Sequence, residues 1–267
     1  MVATHLPLDV VPDEDDPLCA TVWVTVEVGE DRIPFVLDSG ARRSQVRADL
    51  ASNWPVLSED KSYTVFSERR SLYVTAPPLR LGELLIEDLE VSRALDDAVG
   101  AHNLLGLDVL RHHSCILNLA EKTLTLDGPT DTTGATMPLY LDDVGHAYLD
   151  VVVESETASA VWDTGAGITV VDTSLIAQHP QMFYQVDPTS GTDGAGQTQQ
   201  TPTYIMGPVT TAGVSFEAQK VAAVDLSAAN ATLDRPMDLI LGYPALNQAT
   251  WYMDFPRRQW TLSLLLR

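Results

Sequence analysis

Two short stretches of the chain place an acidic residue in matching surroundings. PFVLDSGARRSQV, from Pro34, and SAVWDTGAGITVV, from Ser159, each run an apolar strand into an Asp, a small hydroxyl residue and Gly-Ala. An isolated Asp-Ser-Gly is an ordinary way to leave a strand, but two in matching contexts, at Asp38 and Asp163, ask for a common explanation. If the two turns meet on an axis relating two halves, the carboxyls share one small space. Like charges at that distance cannot both ionise cheaply, so one keeps its proton and the pair titrates as a unit. One ionised and one protonated carboxyl can hold a water between them. The first takes a proton from that water while the second donates to the oxygen under attack.

The flanking residues suit this arrangement. Gly40 and Gly165 permit a sharp turn and a close approach of two backbones. Ser39 and Thr164 supply short hydroxyls that can brace the loops against each other. Val36, Leu37, Val161 and Trp162 surround the carboxyls with apolar bulk, which strengthens their coupling.

The elements that must position these loops are themselves written twice. With Asp38 set on Asp163, Trp23, Val24, Val26 and Val28 fall without a gap on Tyr148, Leu149, Val151 and Val153. TVWVTVEV and HAYLDVVV both alternate in the manner of a strand, and a polar turn leads each into the strand that delivers the Asp. A second pair of blocks follows, NLLGLDVLRHHSCILNLAEKTLTL from Asn103 and LILGYPALNQATWYMDFPRRQWTL from Leu239. Gly106 falls on Gly242 and Ile116 on Tyr252 at an offset of 136, so the second half holds 11 extra residues. These are expected around DPTSGTDGAGQTQQTPT, which is rich in turn formers. Short helices are expected near 107–113, 172–179 and 243–249. The repeat predicts an all-β protein of two pseudo-symmetric barrel-like lobes with the site in a cleft between them. The expected divisions are an N-terminal tail or extra strand over 1–18, a lobe over 19–127, a linker over 128–138 and a second lobe over 139–267.

On these residues the chain resembles the aspartic peptidases of the pepsin and retropepsin superfamily. The paired loops are Asp38-Ser39-Gly40 and Asp163-Thr164-Gly165, and the downstream apolar-apolar-Gly elements are Leu104-Leu105-Gly106 and Ile240-Leu241-Gly242. The resemblance covers roughly residues 20 to 265, with four blocks in order. It implies an acid-protease fold, hydrolysis of peptide bonds by Asp38 and Asp163, and no cofactor. Proton sharing between two carboxyls is that family's own mechanism. Because the duplication supplies both halves of the pair, a monomer is expected to be active on a peptide or protein substrate. Both loops continue with Ala, at Ala41 and Ala166, where pepsin-like loops tend to carry a hydroxyl that favours the ionised carboxylate. Its loss implies a mildly acidic optimum, nearer the retropepsins.

Some features depart from the family. The first half's hairpin region, YTVFSERRSLYV, has no Gly, and Tyr63 and Tyr73 are its candidates for a flap tyrosine. The second half offers SGTDGAGQTQQ, with Gly191, Gly194 and Gly196, so a flap is expected there instead. Arg42 and Arg43 stand where small apolar residues are usual and are expected as a solvated pair at the edge. The alternative function is a peptide-binding module that does not cut.

Composition limits the partners. The 267 residues include 37 acidic and 16 Lys or Arg, a formal charge of −21 that disfavours nucleic acid and anionic membrane surfaces. The acidic run Asp13–Asp16 reads as a solvated segment. Cys19 and Cys115 lack zinc spacing and are expected as reduced core thiols. His112-His113 and the Asp142, Asp143 and His146 group also lack it, so no metal is assigned. Trp23, Trp162, Trp251 and Trp260 read as core. The first residues carry no basic start followed by an apolar run, and a cytoplasmic location is the expectation unless a leader has been removed.

Overall fold

The computed structural model describes residues 3–63, 68–94, 101–129, 134–192 and 198–264. Strands dominate them, gathered into one sheet of 15 strands and one of 10. The alternation in the sequence explains the central hairpins. In Ala20–Val28, Val22, Val24 and Val26 point into the core while Thr25 faces solvent. Ala147–Val153 buries Ala147, Leu149, Val151 and Val153 in the same way and exposes Asp150 and Val152. Each strand turns back antiparallel into the strand that carries the Asp, Asp31–Leu37 or Glu156–Trp162.

Those returning strands lose their alternation as they near the Asp. Phe35, Val36 and Leu37 are all buried, as are Ala158 through Trp162. Both faces are covered there, which is the usual condition for a continuous apolar run. The second pair of blocks supplies the neighbouring strand in each sheet. Leu104–Leu105 lies parallel to Val36–Leu37, and Leu239–Leu241 lies parallel to Ala160–Trp162.

The two halves meet where equivalent residues pair with each other. Ser114–Asn118 runs antiparallel to Ala249–Asp254, and Ile116 faces Tyr252, its own counterpart in the repeat. A residue can oppose its equivalent only on the pseudo-twofold axis, so the axis passes between them. The repeat reaches further toward the N-terminus than the sequence comparison did. Thr4–Pro12 pairs first with Thr123–Leu126 and then with Ala20–Val28. Met137–Pro138 and Tyr140–Leu141 do the same in the second half, against Gln259–Leu264 and Ala147–Val153.

The extra residues of the second half are not all where turn composition placed them. Val152 pairs with Thr210 where Glu27 pairs with Arg80, so the offset has grown from 125 to 130 by that strand. The remaining six positions enter between Gln219–Val224 and Leu239, where a short helix over Ser227–Asn230 is followed by an irregular stretch. SAANATLDRPMD alternates in no strand-like way, and its small and polar residues gave no signal stronger than the Gly-rich segment. The expected helices form over Leu107–Leu110, Thr173–Gln178 and Tyr243–Leu246. Trp162, Trp251 and Trp260 are buried, but Trp23 is only partly so, its ring meeting the edge of His102 at 5.1 Å. It lies on the opposite face of its strand from Val22 and Val24, which the strand period requires. Both cysteines are free and buried, and burial raises the Cys19 thiol to about 12. Among the described residues no helix is long and apolar enough to cross a membrane.

Gly242 begins the helix behind the second Asp loop in a space that admits no side chain. A Cβ there would lie 2.4 Å from the Ile168 carbonyl oxygen and 2.5 Å from that of Ala166. Main-chain atoms cannot move aside cheaply, so Gly242→Ala is expected to destabilise the protein by about 3 kcal/mol. Urea unfolding monitored by tryptophan fluorescence checks this, and an unchanged midpoint contradicts it.

Candidate active site

Each Asp-bearing loop leaves its strand through a hydrogen bond to the element behind it. The Asp38 N–H donates to the Leu105 carbonyl at 2.9 Å, and the Asp163 N–H donates to the Leu241 carbonyl at 3.1 Å. The loop then turns over the glycine of the second block. Ala41 accepts from the Leu107 N–H, and Ala166 accepts from the Tyr243 N–H, both at 2.8 Å. The Ser44 hydroxyl accepts from the Gly106 N–H, and Thr169 does the same for Gly242. The two loops are therefore built alike from unlike residues.

Across the axis they are joined by their hydroxyls. The Ser39 N–H donates to Thr164 Oγ1 at 3.0 Å, and the Thr164 N–H donates to Ser39 Oγ at 3.0 Å. Each hydroxyl then donates to the residue before the opposite Asp, Ser39 to the Trp162 carbonyl at 2.9 Å and Thr164 to the Leu37 carbonyl at 2.7 Å. Both side chains are buried, so every one of these groups would otherwise be unsatisfied away from water. Leaving one such group unpaired costs about 1–3 kcal/mol, which makes the joint specific as well as stable.

The joint sets the carboxyls against each other. A Cβ at Gly40 would lie 2.4 Å from Asp163 Oδ2, and a Cβ at Gly165 would lie 2.4 Å from Asp38 Cγ. Each carboxyl thus occupies the place that a side chain on the other half's glycine would fill. Asp163 Oδ1 accepts from the N–H groups of Gly40 at 3.0 Å and Gly165 at 2.8 Å, one from each half. Asp38 Oδ1 accepts from the Ala41 N–H at 2.8 Å. Burial, then the neighbouring Asp163 charge, raises Asp38 well above the usual carboxylate range. Burial also raises Asp163, against the pull of the Gly165 and Gly40 N–H groups. Val36, Leu37, Val161 and Trp162 are all buried around them.

Other predicted residues stand elsewhere. Each half carries a long hairpin, Val56–Tyr63 with Glu68–Thr75 and Phe183–Thr192 with Thr198–Met206. The Tyr63 side chain, Gly194 and Gly196 lie outside the described residues. Tyr73 is partly buried, with the Arg43 guanidinium 4.9 Å above its ring. Arg43 also reaches Glu90 at 3.3 Å, while Arg42 is exposed and its stem passes over Gly145 of the other half. Among the described residues no group of three or more His, Cys, Asp or Glu side chains is arranged to hold a metal.

Two polar side chains near the site escaped the sequence reading. Asp108 accepts from both the N–H and the hydroxyl of Ser44, bracing the first loop from behind. Its counterpart in the repeat is Pro244, so no paired signal marked it. His146 was considered only as a metal ligand, yet its ring Nδ1 meets the Asp142 carboxylate at 2.9 Å. Setting Asp163 on Asp38 places His146 on Thr21, and that register was the available signal.

No protein-family model matches the chain, and no curated protein matches it. Solved structures do. An aspartic proteinase from Irpex lacteus superposes with a TM-score of 0.62 at 14% identity, over 98% of this chain and 97% of that one. Conglutin gamma, a basic 7S globulin from lupine seeds, gives 0.58 at 11% identity over 98% and 94%. Basic 7S globulin from soybean gives 0.56 at 12% identity over 98% and 96%. The fold is thus the pepsin-like, two-lobed β fold. At these identities the likeness concerns fold alone, and the fold is shared by a proteinase and by globulins.

The raised carboxyls have a consequence for stability. A carboxyl whose folded-state pKa exceeds its unfolded value binds more protons when folded, so the folded state loses stability as pH rises above the unfolded value near 4. Below that pH both states are protonated and the cost vanishes. Asp38→Asn is therefore expected to raise the melting temperature by about 2–4 °C at pH near 8 and to leave it unchanged at pH near 3. Differential scanning calorimetry at the two pH values checks the sign, and a loss of stability near pH 8 contradicts it.

Proposed function

We propose that the protein is an aspartic endopeptidase in which Asp38 and Asp163 together activate water for attack on a peptide bond. The observation that carries this reading is the reciprocal fit of the two carboxyls, each seated on the other half's glycine. Two carboxyls that only ended strands would have no reason to meet, and a structural role would favour separating like charges. The pair instead keeps them in contact in an apolar surround, the condition for one proton shared between two acids. The ionised member takes a proton from the water, and the protonated member donates to the carbonyl oxygen under attack. Ser39 and Thr164 hold the loops, Gly40 and Gly165 admit the carboxyls, and no step calls for a cofactor. One chain supplies both acids, so a monomer suffices.

The second reading is a binding protein on the same fold, favoured by the likeness to two seed globulins. The intact carboxyl pair favours the enzyme. Incubation with a denatured protein substrate from about pH 2 to 8, followed by mass spectrometry of the fragments, separates the two. Cleavage is expected with a mildly acidic maximum, and a maximum below about pH 3 contradicts the effect assigned to Ala41 and Ala166. Asp38→Asn and Asp163→Asn are each expected to lower turnover by about 100- to 10,000-fold with the fold retained. Near-normal rates in either variant would falsify the shared-proton mechanism. Ala41→Ser, which returns a hydroxyl beside Asp38, is expected to move the acid limb of the pH profile down by about half to one unit.

A further inference from the structure

Arg42 and Arg43 follow the first Asp loop directly, and the fold gives them different neighbours. Arg43 is engaged, its guanidinium 3.3 Å from Glu90 and 4.9 Å above the Tyr73 ring. Arg42 is exposed, and nothing among the described residues pairs with its guanidinium. The chain has 37 acidic residues against 16 Lys or Arg, so a cation left without a partner is out of keeping with its surroundings. Asp142, on the facing turn of the other half, is already engaged by the N–H and the ring of His146.

Both halves set the place of Arg42. Its stem lies against Gly145 of the second half, where a Cβ would come within 2.9 Å of Arg42 Cγ and 3.4 Å of Arg42 Cα. Gly145, at φ +96, adopts a conformation that other residues rarely reach, and its bare Cα leaves room for that stem. An open line of surface leads from the carboxyl pair to this residue. Asp38, Gly40 and Ala41 are partly exposed, with only Ser39 buried among them, and the Ala41 N–H donates to Asp38 Oδ1 at 2.8 Å. Arg42 comes next along that line. In the second half, Asp163, Gly165 and Ala166 are partly exposed in the same way and lead to Gly167 and Ile168. The repeat sets Gly167 on Arg42 and Ala20 on Gly145, and these two also meet, the Ala20 N–H donating to the Gly167 carbonyl at 3.3 Å. The open surface thus ends in a guanidinium in the first half and in two uncharged residues in the second.

We infer that Arg42 is a specificity-determining residue, selecting peptides that carry an acidic side chain on one side of the bond lying over the carboxyl pair. The inference rests on the reading above in one respect, that the pair is where a peptide is held. A peptide held there leaves the pair in two directions along the open surface, so one arm passes Arg42 and the other passes Gly167. The guanidinium presents a planar fork of donors that matches a carboxylate with two parallel bonds. Its stem, resting on Gly145, loses less freedom on binding than a stem loose in water. The net charge of −21 acts the other way and repels acidic peptides as a whole. A preference for an acid at a single position is therefore the mark of a local cation, whereas the field of the whole protein favours basic residues at every position.

The test uses short peptides with apolar residues at the centre and Glu, Gln or Lys in turn at each outer position. The wild type is expected to cleave the Glu peptide with a kcat/KM about 3- to 10-fold above that of its Gln counterpart, at one position on one side of the cut. That ratio should fall toward one in about 0.5 M salt. Arg42→Gln is expected to abolish the Glu preference, and Arg42→Glu to replace it with a preference for Lys. Calorimetric titration of the same peptides into Asp38→Asn, where binding is read without cleavage, is expected to give the same order of affinities, lost when Arg42→Gln is added. A Glu preference that persists in Arg42→Gln, or cleavage with no Glu preference at any position, overturns the inference and leaves the peptidase reading standing. The expected order of affinities in a protein whose wild type cleaves nothing supports the inference and overturns the peptidase reading. Peptides that are neither bound nor cleaved overturn both.

Discussion

The structure depends on one constraint, the reciprocal bonding of Ser39 and Thr164 across the pseudo-twofold axis. Each hydroxyl satisfies a main-chain N–H and a main-chain carbonyl of the opposite half, in a region closed to water. Neither half can complete its own loop, because the polar groups of Ser39 and Thr164 find these partners in the other. Buried polar groups tolerate little displacement from their partners, so this joint fixes the relative position of the halves more finely than apolar packing does. The two carboxyls inherit that precision. They are brought into contact by a network of which they are not themselves part.

Around the joint, the sheets tie each loop to the strands behind it. The parallel pairing of Leu104–Leu105 and Leu239–Leu241 behind the two loops closes each Asp N–H with a carbonyl. Facing strands Ser114–Asn118 and Ala249–Asp254 carry the axis on toward Ile116 and Tyr252. A second tie runs from the N-terminal segment to the other half, where Asp16 meets Lys220 and the Ala20 N–H reaches the Gly167 carbonyl. The acidic run near the N-terminus is therefore not wholly solvated, since its last member is a buried ion-pair partner.

Symmetry in the backbone does not carry through to the charges. Ser44 leans on Asp108 where Thr169 leans on Gln219, and Thr21 occupies the place that His146 takes in the second half. A symmetric pair of acids has no reason to keep its proton on one side. Reactions that need one acid and one base gain from breaking that equivalence, because the two roles then fall to fixed residues. Duplication within one chain allows it, since each half can change without the other.

Sequence alone determined the repeat, the two Asp loops and the apolar-apolar-Gly elements, because each is a local pattern repeated at a constant offset. It also determined that strands alternating Val with polar residues would lie half in the core. What only the tertiary structure decided is how these local patterns meet. That Ser39 bonds to Trp162 and Thr164 to Leu37, and that Gly40 underlies Asp163, are contacts between residues more than a hundred positions apart. No local period reports them. The same holds for Trp23, whose aromatic character suggested core while its place on the outer face of the strand left it partly open. Asp108 falls on Pro244 and His146 on Thr21 in the repeat, so no matching pair marked either of them. Their roles come from the neighbours that folding brings to them, and a side chain's charge and proton affinity are set by those neighbours.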